Sequence, residues 1–288
     1  MSIVTLTTDF GMKAHFVGAV KGALLREIPG VNIVDISHNI SPFNVIEAAY
    51  VIQNAYSSFP DGSVHIIGVD SELNVENTHV AMFLNGHFFI CANNGILSMI
   101  CSEVEPQKIV KINIHDKVIG TFPVLDIFVK VAAHVVRGGN LEVIGKSIQQ
   151  IKPIKNITPF VNNDNDQIIG NVIYIDRYDN IVTNIKKSFF ESVQKNRSFL
   201  ISARNHKFKK IYNKYSDIVN FDIPIQQRNY EGQGLVIFNS SGYLEIAMYK
   251  SNKLSVGGAS TLMGLHMMDS VTVQFLWLYI DSWKIPKC

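Results

Sequence analysis

The feature that most limits the fold of this chain is a change of rhythm near Ile151. Before it, β-type runs at Ile3 to Thr7, Val31 to Ile36, Val64 to Val69, His79 to Phe83, Phe88 to Ala92 and Ile109 to Ile112 alternate with helical stretches at Phe16 to Arg26, Val45 to Tyr56 and Leu125 to Val136. After it, the runs Asn171 to Ile175, Ser198 to Ala203, Gly234 to Phe238, Leu244 to Met248 and Ser270 to Phe275 are short, β-branched and separated by turns. The stretch between, Lys152 to Gln167, carries Pro153, Pro159 and the polar run Asn162 to Asp166. The expectation is an α/β domain with a mixed sheet flanked by helices over residues 1–155, a linker at 156–167, and a small all-β barrel over 168–288.

Composition narrows the classes of function. A chain of 288 residues that is 47% hydrophobic and 17% charged has ample core for two domains and is not disordered. A formal charge of +2 argues against a nucleic-acid partner. The one dense basic run, His206 to Lys210, reads as decoration on a hairpin. Three cysteines without metal-type spacing suit a reducing compartment: Cys91 and Cys101 pack as small apolar residues, and Cys288 is terminal. The first residues lack the regions of a signal peptide and no apolar run reaches the roughly 20 residues of a membrane span. Phe275 to Ile280 is a strand or an apolar tail. The expected setting is therefore the cytoplasm, with no membrane role.

The first strand, Ser2 to Thr8, stops on Asp9-Phe10-Gly11 before a helical pattern begins. In open α/β sheets, ligands bind beyond the carboxyl ends of strands. An acid there either accepts hydrogen bonds from a sugar diol or caps the next helix, and capping alone is the commoner job. Gly68-Val69-Asp70 puts a second carboxylate at a strand end, and Ala92-Asn93-Asn94-Gly95 closes another strand. In the second domain, Tyr174 to Asn184 gathers acids, aromatics and amides around one turn, and Asn239 to Tyr243 forms a polar turn. Together these offer what a nucleoside with an amino-acid tail needs. No G-x-G-x-x-G, P-loop, HExxH or Cys-x-x-Cys pattern occurs, so neither a dinucleotide nor a metal is expected. His38, in Asp35-Ile36-Ser37-His38, reads as satisfied by local backbone rather than as a catalytic group.

The chain resembles the S-adenosyl-L-methionine hydroxide adenosyltransferases, relatives of the fluorinase and chlorinase. Thr7 to Gly11 with Val17-Gly18, Asp35 to His38, Phe59 to Ser63, Gly68 to Asp70, Asn93 to Ser98, Asp176 to Asn184 and Ser240 to Ala247 carry the likeness, in family order. The resemblance implies a homotrimer with sites between one subunit's first domain and its neighbour's second. It implies displacement of methionine from C5′ of S-adenosylmethionine by water, giving adenosine and L-methionine, with the nucleoside as substrate and no cofactor. Aligning the nucleophile with the bond from C5′ to sulfur can supply about 7 to 11 kcal/mol. By position, Asp9 beside Phe10 would hold the ribose hydroxyls, Asp70 would orient water, and Asn94 would lie beside the ligand. Tyr178 and Tyr215 would flank the adenine, Asn180 would hydrogen-bond it, and Asp176 with Ser240 and Ser241 would take the methionine ends.

The chain also departs from the family pattern. The hydrolytic branch pairs its Asp with an Arg a few residues on and a His within Thr-Phe-His-Gly. Here Ser71 to His79 contains no Arg, the matching slot falling near Asn77, and the second motif reads Thr121-Phe122-Pro123-Val124. A proline side chain neither donates a proton nor orients water. Two readings stay open: Glu72 or His79 replaces the lost partners, His79 being better suited near neutral pH, or His79 merely begins the next strand, Glu72 is solvated, and the chain binds an adenosyl ligand with little or no turnover. Halide transfer ranks below both, because Val124 stands where a halide pocket uses a small hydroxyl residue.

Overall fold

The computed structural model describes residues 2–102, 104–115, 120–154, 158–228, 232–252 and 255–276. Cys288 and the tail beyond Leu276 lie outside them, as do residues 155–157 of the connecting stretch. The chain divides into two compact units, Met1–Lys155 and Asn156–Cys288.

In the first unit the chain runs β1 (Ile3–Thr8), α1 (Phe16–Glu27), β2 (Asn32–Ser37), α2 (Val45–Gln53), β3 (Val64–Gly68), β4 (His79–Leu84), β5 (His87–Ala92), α3 (Ile96–Ile100), β6 (Lys108–Ile112), α4 (Val129–Val136), α5 (Leu141–Ile144) and β7 (Gly145–Ser147). The seven strands order as β2-β1-β3-β5-β4-β6-β7, parallel from β2 to β5 and antiparallel beyond, so the sheet is mixed. Strands with neighbours and helices on both sides must be apolar on both faces. Val64 and Ile66 on β3 accordingly join the core under α1 and α4, while Ile67 and Val69 join the core under α2 and α3. Helix α1 buries Val17, Val20, Ala23 and Leu24, a 3.6-period stripe.

Boundaries differ from the sequence reading where local chemistry intervenes. The helix expected over Val45 to Tyr56 ends at Gln53 and passes into a 3-10 turn at Tyr56–Ser58. The one expected from Leu125 begins as a wide π turn at Val124–Phe128, set by Pro123 at its entry and by Phe122 N donating to Asp126 Oδ2 at 3.1 Å. Gly95 has φ +111, and a Cβ there would meet Ile154 Cγ1 at 2.4 Å. Only glycine lets the segment carrying Ile154 lie against the turn after β5.

The second unit contains β8 (Phe160–Val161), β9 (Gln167–Ile175), β10 (Ile181–Lys186), α6 (Lys187–Gln194), β11 (Ser198–Ala203), β12 (His206–Phe208), β13 (Gly234–Phe238), β14 (Tyr243–Met248), α7 (Ala259–Met263) and β15 (Ser270–Leu276). Its eight antiparallel strands, ordered β12-β11-β15-β9-β10-β14-β13 with β8 on β9, form a nearly closed barrel. The basic run at His206 sits on the β11–β12 hairpin. Strand β10 and helix α6 were not anticipated, because Thr183 and Asn184 look like loop residues. Both are buried: Thr183 Oγ1 donates to Leu244 O at 3.0 Å, and Asn184 Oδ1 accepts from Asn171 N at 2.8 Å. Neighbouring strands thus satisfy polar groups that the sequence alone leaves unexplained.

Candidate functional site

In the first unit, the carboxyl ends of β1 and β3 open into a cleft of about 700 Å³. Asp9, Phe10, Asp70 and Glu72 line it, with Ser71, Phe43, Phe122 and Pro123. The resemblance expects Asp9, Phe10 and Asp70 there, Glu72 being one of the two candidate replacements, and parallel strand ends are where such a sheet leaves room. Phe10 packs between Phe16 and Phe122, ring centroids 5.8 and 5.3 Å away, giving the cleft an apolar wall. Asp9 Oδ2 accepts from Phe43 N at 2.9 Å, so its carboxylate is tied to the loop before α2 and does not cap α1.

The β1 end is braced from behind. Thr8 Oγ1 lies 2.8 Å from Nδ1 of buried His38, whose Nε2 is 3.0 Å from Asp35 Oδ1, and Gly11 N donates to His38 O at 2.8 Å. The sequence suggests local backbone as the partner of His38; instead Nδ1 pairs with the Thr8 side chain, and Nε2 lies beside the Asp35 carboxylate without a hydrogen bond. Asp70, at the end of β3, adopts φ +44, a left-handed conformation uncommon for a residue with a Cβ. Asn94 holds it there: Asn94 Nδ2 donates to Val69 O at 3.0 Å and to Asp70 O at 3.2 Å, and its Oδ1 accepts from Ile96 N. Its side chain thus shapes the Asp70 turn and is absent from the cleft lining.

His79 opens β4 and is buried beside Phe128. Its Nε2 donates to Ser71 O at 2.9 Å, so its Nδ1 is the acceptor for His115 Nε2, also at 2.9 Å. Burial first, and His115 beside it, push its pKa down to about 4, against the pull of the Ser71 carbonyl. His79 is therefore a neutral ring behind the cleft wall, and Glu72 is an exposed residue on it. Val124 is fully buried, its Cγ2 set 2.8 Å from where a Cβ on Gly68 would stand.

The second unit gathers a separate polar cluster. Asp176 and Asn180 close the β9–β10 turn: Asp176 Oδ1 accepts from Asn180 N at 2.8 Å and Oδ2 from Asn180 Nδ2 at 3.0 Å. Burial raises the Asp176 pKa in spite of those bonds. Asp179, fully buried with φ +67, accepts from Gly258 N and Thr261 N at 3.1 and 2.8 Å and so anchors the turn on α7. Tyr178 projects with 68% of its surface exposed, while Asn180 is buried with no partner at its Oδ1.

Ser240 and Ser241 lie in the β13–β14 turn against Lys187, at the opposite end of β10 from Asp176. Buried Glu245 on β14 spans the gap, accepting from Tyr215 Oη at 2.6 Å and Asn239 Nδ2 at 3.1 Å. Burial raises its pKa, its two donors lower it, and Asp176 raises it again. Glu245 was not singled out from sequence; an acid on an otherwise apolar strand was the available signal. Tyr215 is committed to it by its hydroxyl. Among the described residues no cluster of His, Cys, Asp and Glu could hold a metal, and no helix is long and apolar enough to cross a membrane.

Comparison with known proteins bears on this arrangement. Residues 4–145 match the model of the SAM hydroxide adenosyltransferase N-terminal domain and residues 170–272 that of its C-terminal domain. An (R)-S-adenosyl-L-methionine hydrolase of Methanocaldococcus jannaschii is 28% identical over 95% of this chain and 96% of its own length. A fluorinase of an Actinoplanes species is 22% identical over 85% of this chain and 90% of its own. The crystal structure of a conserved protein from Thermotoga maritima superposes with a TM-score of 0.77 at 26% identity, covering 95% of this chain and all of that one.

Proposed function

Because the chain belongs to the SAM hydroxide adenosyltransferase family, we propose that it hydrolyses S-adenosyl-L-methionine to adenosine and L-methionine. The observation that carries this reading is the match of both domain models, in order, together with a relative of that activity aligned over nearly the whole chain. In the reaction a water oxygen bonds to C5′ as the bond from C5′ to sulfur breaks, its electron pair returning to sulfur and one water proton leaving to solvent. The sulfonium is already a good leaving group, so the protein's task is alignment and exclusion of bulk water. Asp9 grips the ribose hydroxyls, Asp70 orients the water, and the ring of Phe10 walls the nucleoside side. In the second unit, exposed Tyr178 stacks on the adenine and the unpartnered Asn180 Oδ1 takes its amino group, an acceptor that is costly to leave bare.

Water rather than halide is the proposed nucleophile, since by the family resemblance Val124 stands where a halide pocket uses a small hydroxyl residue. The protein works as a homotrimer in which each cleft is completed by a neighbouring copy. Met12, Phe43 and Val75 on the loops at that end of the sheet, 64, 73 and 98% exposed, support a covered surface there. Incubating the purified chain with each sulfonium epimer and following adenosine by chromatography tests the reaction. Adenosine release that D70N abolishes supports it, and binding without release in calorimetry replaces it with an adenosyl-binding protein. Light scattering at three times the 32.2 kDa chain mass tests the trimer.

A further inference from the structure

Behind Asp70 lies a second layer of polar groups that ends on a cation. The Asp70 loop closes on itself through main chain: Asn74 N donates to Asn77 O at 3.2 Å, and Asn74 Oδ1 accepts from Glu76 N and Asn77 N, both at 2.9 Å. The Asn77 side chain takes no part in those bonds. Its Nδ2 donates to Asp70 Oδ2 at 3.2 Å, and its Oδ1 accepts from Lys152 Nζ at 3.1 Å. An ammonium has no acceptor and a carboxylate no donor, so only one orientation of the amide satisfies both neighbours.

Lys152 is held in place for this contact. Its own N donates to Asn93 Oδ1 at 2.8 Å, and two residues on, Ile154 N donates to Ser98 Oγ at 3.1 Å. The Ile154 side chain fills the space that the missing Cβ of Gly95 leaves. Asn93 N in turn donates to Thr78 O at 2.7 Å, tying the same turn to the end of the Asp70 loop. Among the described residues no Lys or Arg lines the cleft, and none occurs between Asp70 and His79. Lys152 is the positive charge that the hydrogen-bond chain connects to the carboxylate.

We propose that Lys152 is a positioning residue for Asp70, acting through the Asn77 amide, which it locks with the NH2 group toward the carboxylate. With Oδ2 occupied and the carboxylate plane fixed, Oδ1 is the oxygen presented to the attacking water. Remove the ammonium and the amide is held from one side only, through its bond to Asp70, so its plane and with it the carboxylate are less firmly fixed. This inference rests on the hydrolase reading for its catalytic consequence, and on geometry alone for the relay.

The test uses the full chain with K152M, K152R, N77A and the double variant K152M/N77A. K152M and N77A each lower kcat roughly tenfold, the scale of a small misplacement at a reacting centre, with KM within about threefold; K152R recovers most of the rate. In the N77A background K152M costs nothing more, because the link it acts through is gone. A kcat for K152M equal to that of the parent, or losses that add in full in the double variant, overturn the relay. A second readout needs no turnover: the Asn77 side-chain amide resonances move in K152M relative to the parent, and unmoved resonances also overturn it. If the parent releases no adenosine from either epimer, the hydrolase reading fails while those resonances still decide the relay.

Discussion

Asp9 and Asp70 in the first unit stand at strand ends on an open cleft, whereas Asp176, Asp179 and Glu245 in the second serve to hold a turn and neighbouring segments. Asp9 and Asp70 are held by Phe43 N and the Asn77 amide respectively, and both line the cleft. Asp176 is instead bonded within its own turn, Asp179 by Gly258 N and Thr261 N at α7, and Glu245 by Tyr215 and Asn239, and burial raises the pKa values of Asp176 and Glu245. A carboxylate on a cleft is open to a ligand or a water; one enclosed by donors organises the structure around it. In the proposed function the chemistry falls to the first unit and recognition to the second, with Tyr178 and Asn180 on the β9–β10 turn.

The largest test of that division is D70N. It keeps the shape while removing the carboxylate proposed to orient water, so turnover is expected to fall about a thousandfold, within the range for a lost proton-handling group. Adenosine affinity, read by calorimetry, stays within about threefold, since a product without sulfonium or nucleophile does not need that charge. A D70N protein that turns over at the parent rate places the chemistry elsewhere and dissolves the contrast between the two acid sets.

Acid should separate the units next. Burial, with His87 beside it, lowers the pKa of His65 to about 3, and His79 is lowered to about 4. His65 is enclosed between Thr5 Oγ1 at 2.7 Å and His87 at 3.2 Å. In the unfolded chain both titrate near 6.5, so their contribution is complete above about pH 6.5 and is lost as pH falls, by about 2 kcal/mol per imidazole at pH 5. The raised carboxyls of Asp176 and Glu245 run the other way: what they contribute is present at low pH and lost as pH rises through their folded values. Hydrogen exchange at pH 7 and pH 5, corrected for intrinsic rates, will show protection falling in the first unit while the barrel holds. Equal losses in both would mean that the buried imidazoles are not what sets acid stability.

How much of this could be read from the residues alone depends on how far each contact reaches along the chain. Strand β1 and helix α1 were legible because apolar spacing is local, and Asp9 and Asp70 because strand ends in such sheets face ligands. Asn94 was legible as a place but not as a role: its amide bonds to Val69 and Asp70 cross 25 and 24 positions. The bond from Lys152 to Asn77 crosses 75, and that from Tyr215 to Glu245 crosses 30. Pairings of that range follow from sheet order, which no spacing rule encodes. Strand β10 stayed hidden for a related reason, since partners for Thr183 and Asn184 come from other strands.

Within the second unit, D179A probes the scaffolding role. The substitution strips the carboxylate from Gly258 N and Thr261 N in a fully buried position, and Gly258 has no room to rearrange because a Cβ there would already meet Tyr178 O at 2.6 Å. Two uncapped donors cost about 2 kcal/mol. Exchange should quicken in α7 and the β9–β10 turn and stay unchanged around the cleft. Destabilisation that spreads evenly through both units would contradict the independence of the two clusters.

The smallest effect separates recognition from structure at the same turn. Tyr178 is 68% exposed and its carbonyl, not its ring, is what Ser251 Oγ contacts at 3.4 Å, so Y178A should leave the melting temperature within the range of an ordinary surface change. If the ring stacks on adenine it contributes about 1 kcal/mol, the low end for a base on an aromatic face, and adenosine binding weakens roughly fivefold. The neighbouring D179A does the reverse, moving stability first and affinity only through the turn it distorts. Y178A binding adenosine as tightly as the parent would strip the turn of its recognition role and leave Asn180, with its buried unpartnered oxygen, as the group through which the second unit meets the base.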